Sequence, residues 1–156
     1  MAINAEIRDR RRWDIFSSVT ELGDIAFQRM TWLNLQLLNP HFTFVEFFEC
    51  FYDACGGEYD ISDPASEKAP LNYLLREGYI SEAESDAIWP VHIALKDYEY
   101  PVDDYDHQFI LSDPLWHSVV SVASRSVQKL KKIIIDPSEL RHLVIQLPHT
   151  AMKKWP

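Results

Sequence analysis

Five segments of this chain carry the side-chain chemistry that starts a helix, and nothing else in the sequence constrains the fold as strongly. Ser18 to Glu21, Thr43 to Glu46 and Ser81 to Glu84 each place a hydroxyl three residues before a carboxylate. That spacing lets the two side chains satisfy orphan backbone N–H groups reciprocally at a helix N-terminus. Asp113 before Pro114, and Asp136 before Pro137, pair an N-cap with a proline at the first helical position. The stops agree: Asn39-Pro40, Gly56-Gly57, Gly78 and Pro148 each follow an apolar-periodic run.

These signals predict helices near 5–16, 19–38, 44–55, 70–77, 82–97, 114–134 and 137–147. The first two can be read as one bent helix, since Gly23 only weakens a helical run. Pro90 is expected to kink the fifth or divide it. Apolar residues recur at helical spacing at Val119, Val122, Ala123, Val127 and Leu130, and again at Phe44, Phe47, Phe48 and Phe51. The chain has 156 residues and only four glycines, too few for a turn-rich β-fold. The expectation is all-α: one helical domain over 1–156, an irregular bundle of six to seven helices.

Charge is unevenly distributed. The net charge is -9, but residues 1–40 sum to zero, 41–110 to -13 and 111–156 to +4. An acidic middle repels nucleic acid and anionic membranes and attracts cationic partners. The N-terminus is charged, with no apolar h-region, and no apolar run reaches the roughly 20 residues that span a bilayer. A cytosolic protein is expected.

Catalytic signatures are absent. The sequence has no P-loop, Gly-rich dinucleotide turn, H-E-x-x-H or paired C-x-x-C, and neither a metal nor another cofactor is expected. Glu139 and His142 form a single E-x-x-H, read as a surface pair one helical turn apart. His107 lies among carboxylates without an evident nucleophile or second ligand. Cys50 is read as a core thiol, and His92 as a satisfied core histidine. The basic run Arg8, Arg10, Arg11 and Arg12 is read as a solvated helix face. Lys129, Lys131 and Lys132 complement the dipole at a helix end.

Two stretches resist a helical reading, 56–69 and 98–112. Irregular segments of this length inside a compact domain are often functional. Residues 96–107, KDYEYPVDDYDH, hold five acids and three tyrosines. A merely solubilising loop has no use for large amphipathic rings, whereas interface hot spots are enriched in them. Glu58, Tyr59 and Asp60 repeat the chemistry in the other stretch. Carboxylates speed encounter with a cationic partner and pair with its arginines, while tyrosines supply packing area.

In DYEYP and DDYDH, set in an acidic helical chain, the sequence resembles bacterial immunity proteins of the colicin-nuclease or contact-dependent inhibition type. The resemblance is one of type rather than of an aligned motif. It implies a cytoplasmic inhibitor that binds and neutralises a cationic toxin, expected to be a nuclease, by occluding its active cleft. The partner-binding residues expected are Asp97, Tyr98, Glu99, Tyr100, Asp103, Asp104, Tyr105 and Asp106, with Glu58, Tyr59 and Asp60 beside them if the two stretches share one side of the bundle. The alternative is an acidic adaptor or regulator using the same face on a basic host protein. An enzyme with a site near His107 is the third reading, and the least supported.

Overall fold

The computed structural model describes residues 4–33, 43–56, 70–99 and 103–145. These residues form seven α-helices and one 3₁₀ helix, with no strand among them. The all-α expectation holds, and the differences lie in where individual helices begin and end.

Helix α1 (Ala5–Leu22) is capped by Asn4, whose Oδ1 accepts from the N–H groups of Glu6 and Ile7. It runs through Ser18, so the capping box expected at Ser18 to Glu21 does not form. Ser18 is buried in mid-helix. The break comes at Gly23, whose N–H returns to the Val19 and Thr20 carbonyls. Asp24 then caps α2 (Ile25–Trp32), its Oδ1 accepting from the Phe27 N–H at 2.9 Å. A side chain at Gly23 would bring a Cβ within 2.9 Å of the Ser124 backbone nitrogen. Gly23 is thus where a later helix crosses α1 backbone to backbone.

Thr43 caps α3 (Phe44–Ala54), accepting from the Glu46 N–H. Helix α4 is short (Asn72–Arg76). Helix α5 (Glu82–Asp97) opens with a complete capping box between Ser81 and Glu84 and continues undivided through Pro90. Helix α6 (His107–Ser112) lies inside the stretch expected to be irregular. Asp106 starts it by accepting from the Phe109 N–H. Asp113 caps α7 (Pro114–Ile133), the longest helix described. The segment expected as a helix over 137–147 is a 3₁₀ helix at Pro137–Leu143, capped by Asp136.

Helices α1, α5 and α7 carry most of the packing. α7 lies along α5 and α1, and α3 packs on the other flank of α1. Trp116 of α7 is fully buried in an aromatic cluster with Trp32, Phe44 and Tyr98. Gln28 joins helices within this core. Its amide donates to the carbonyls of Glu21 and Leu22, which end α1, and its Oε1 accepts from the Trp116 indole N–H at 2.9 Å. A buried amide is tolerated because its polar atoms are paired.

The basic run of α1 is not a uniformly solvated face. Arg12 is 2% exposed. Its guanidinium forks onto Glu84 at 2.8 and 2.7 Å, reaches Glu139 at 2.8 Å and donates to the Tyr79 carbonyl. Burial alone would depress the Arg12 pKa; hydrogen bonds and charge from Glu84, then from Glu139, outweigh it and hold it above the ordinary value. Glu84 is lowered in turn, its bond to Arg12 overcoming a burial that would raise it. Glu139 and His142 are therefore not a surface pair. Glu139 pairs with Arg8 and Arg12, and His142 is fully buried, with its Nε2 3.2 Å from Asp9. This cluster fastens the 3₁₀ helix and the start of α5 to α1.

Candidate functional site

The acidic, tyrosine-bearing segment divides into an inward part and an outward part. Tyr98 turns inward, and this corrects its expected role as a docking anchor. It is 7% exposed, packs against Phe44 and Trp116, and its hydroxyl donates to Asp113 Oδ2 at 2.9 Å. The physical reason is its position just past α5, where the chain leaves the helix over the aromatic core and the ring covers it. Burial and the Asp113 carboxylate both push its phenol pKa up. Asp97 and Glu99, on either side, are exposed. Tyr100, Glu58, Tyr59 and Asp60 lie outside the described residues, so the expected meeting of the two stretches lies outside them as well.

The outward part is the turn at 103–106 with the start of α6. Asp103 Oδ1 accepts from the Tyr105 N–H at 2.9 Å, an Asx turn, and Asp106 caps α6. Two of the acids therefore hold their own backbone while remaining exposed. Between them Tyr105 stands 60% exposed, with Phe109 one turn further on at 53%. Asp104 reaches sideways to α3, where it lines a groove of about 290 Å³ with Phe44, Val45, Phe48 and Glu49.

Sequence reasoning missed that α3 contributes to this face. The signal was present. Phe44, Phe47 and Phe51 fill the buried side of α3, so Val45 and Phe48 fall on its flank and Glu46, Glu49 and Asp53 on its outer side. Phe109 was missed because α6 itself was read as loop.

His107 has a structural role. Its ring lies 5.4 Å from the Trp32 ring, and its Nε2 accepts from the Phe44 N–H. Burial lowers its pKa, opposed by a Trp32 backbone hydrogen bond and by Asp103, Asp106 and Asp104. Among the described residues, no group of three or more His, Cys, Asp or Glu side chains is placed to hold a metal ion. No helix among them is long and apolar enough to cross a membrane.

The thiols differ from expectation in one case. Cys55 is in the core, where burial pushes it up to about 12. Cys50 is exposed at the mouth of a groove between α1 and α3, and partial burial with four neighbouring carboxylates pushes it up to about 11. Both thiols are protonated near neutral pH and are poor nucleophiles. His92 is fully buried with its Nδ1 3.0 Å from the Tyr52 hydroxyl, a satisfied core histidine as read.

No protein-family model, curated protein or solved structure matches the chain. The class defined by the coordinates is an all-α protein with an acidic, aromatic outer face on α3, α6 and the turn between α5 and α6.

Proposed function

We propose that this chain binds a cationic protein through the face formed by the 103–106 turn, the start of α6 and the outer flank of α3, and that it acts as an immunity protein against a basic toxin, a nuclease being the class that best fits the charge. The observation that carries the reading is the groove shared by Asp104, Glu49 and Phe48 beside the exposed rings of Tyr105 and Phe109. Exposed rings rimmed by carboxylates offer a cationic partner both packing area and charge complementarity. A partner's arginine can stack on Tyr105 and pair with the flanking acids. Occlusion of a basic cleft needs no chemistry from this chain.

The test is a titration against the protein encoded directly upstream, in calorimetry and in a nuclease assay. The expected result is a tight complex that weakens steeply with salt and abolishes cleavage. A complex without inhibition favours an adaptor role. If Tyr105→Ala combined with Phe109→Ala binds as the parent does, this face is not the docking surface.

A further inference from the structure

Ile135 is the most exposed large apolar side chain among the described residues, and it lies at the basic end of an acidic molecule. The chain leaves α7 at Ile134, whose N–H closes the last turn on the Leu130 carbonyl, and continues extended to Asp136. Extended backbone sends successive side chains to opposite faces. Ile134 therefore enters the core at 8% exposure, and Ile135 stands out at 95%. Its surroundings are cationic. Residues 114–135 contain no acid. Lys129, Lys131 and Lys132 are exposed on the last turns, with no carboxylate among the described residues within salt-bridge distance. Asp136, the next acid along the chain, is turned onto its own backbone and accepts from the Ser138 N–H. A single exposed isoleucine says little on its own.

The same chain carries the complement. The Asp104 groove, about 290 Å³, is lined by the apolar side chains of Val45 and Phe48 and by the carboxylates of Glu49 and Asp104. An apolar side chain followed and preceded by charge of one sign matches an apolar groove flanked by charge of the other. The two cannot meet within one molecule. The groove adjoins the N-terminal end of α7, where the Trp116 and Phe44 rings pack 5.2 Å apart. Ile135 lies past the other end of this 20-residue helix, roughly 30 Å away at a rise of about 1.5 Å per residue. We propose that the Asp104 groove also binds a second copy of this chain, taking its Ile135 side chain against Val45 and Phe48 while its Lys131 and Lys132 pair with Glu49 and Asp104. The contact joins two different patches, so it runs head to tail and extends from copy to copy or closes into a ring. The net charge of -9 opposes association at long range, but that repulsion is screened beyond about 8 Å at physiological salt, and the local pairs act in contact. The regulatory consequence rests on the function proposed above. The groove is the one offered to the cationic partner, so self-association and partner binding exclude each other.

Sedimentation velocity of the full chain at about 0.15 M salt tests this. The weight-average sedimentation coefficient should rise with concentration between about 10 μM and about 1 mM, the range of small, weak interfaces. Ile135→Asp should stay monomeric throughout and, because that side chain is in solvent, keep the parent's melting temperature. Charge reversal gives the sharper readout. Lys131→Glu with Lys132→Glu makes both patches negative, and Glu49→Lys with Asp104→Lys makes both positive, so each double variant alone should be monomeric. Mixed in equal amounts, the two should associate, since every contact between them again joins opposite charges. A parent that is monomeric over the whole range, association that survives Ile135→Asp, or a mixture that stays monomeric would overturn the assignment. The Ile135→Asp variant leaves the docking face intact, and its titration against the upstream protein tests the proposed function separately. A monomeric parent that still binds that protein sinks only the self-association, whereas a self-associating chain that binds no cationic protein sinks only the immunity reading.

Discussion

Arg12 shows how much one side chain can decide. It sits on the apolar stripe of α1 with Ile15, Phe16, Val19 and Leu22, all of them buried. That spacing was the available sign that Arg12 points inward, and it was obscured by the neighbouring arginines. Removing one partner of a buried charge cluster costs more than the cluster itself contributes, because the remaining charges lose their only compensation. Arg12→Ala should therefore destabilise the fold by about 3–5 kcal/mol in urea unfolding, since it strands the buried Glu84 carboxylate and leaves Glu139 with Arg8 alone. A cost near that of an ordinary surface substitution would contradict the burial. Glu21 makes the opposite prediction. A carboxyl whose folded pKa is raised keeps its proton longer when folded than when unfolded, so its contribution declines as pH rises from the ordinary carboxylate value through about 7. Glu21→Gln removes that loss. It should stabilise the protein by about 2 kcal/mol at pH 8, the full shift being discounted for partial exposure, and by nearly nothing at pH 4. Asp14, Cys50 and Asp53 face the same groove and are present in both proteins. An equal gain at both pH values would show that desolvation of Glu21 is not the cause.

At the scale of elements, legibility followed the hydrogen-bonding chemistry of the ends. Thr43, Ser81, Asp113 and Asp136 all cap the helices they were expected to cap. Ser18 failed because a capping spacing also occurs by chance inside a helix, and the continuous apolar stripe of α1 outweighs a local cap. Helix α6 was hidden for the converse reason. Its six residues follow a run of acids, and Asp106 looked like one more negative charge rather than an N-cap. The 3₁₀ geometry at Pro137–Leu143 was not legible either, since its charged side chains are held by α1 and not by its own periodicity. Gly23 matters for close approach. Alanine is the better helix former, yet Gly23→Ala should lower stability by about 2 kcal/mol because the new methyl meets the α7 backbone. Thermal unfolding would decide it, and an increase in melting temperature would mean that α1 and α7 are not in backbone contact there.

Over the whole molecule, the acidic middle of the chain serves two separable purposes. Some of its acids hold backbone: Glu84 closes a capping box, while Asp103 and Asp106 shape the turn into α6. Others, such as Glu49, face outward. Composition could not separate these uses, and the tyrosines divide the same way. The division predicts opposite outcomes for two tyrosines seven residues apart. Tyr98→Phe deletes a buried hydroxyl bonded to the α7 cap, so it should cost about 1 kcal/mol of stability and leave partner affinity unchanged. Tyr105→Ala removes an exposed ring, so stability should stay within about 0.5 kcal/mol of the parent. Its affinity for the cationic partner should fall by about 2 kcal/mol, the size expected of a central aromatic anchor. Chemical denaturation and calorimetry on the same two variants measure both quantities. If Tyr98→Phe weakens binding and Tyr105→Ala does not, the docking surface is not on this side of the bundle.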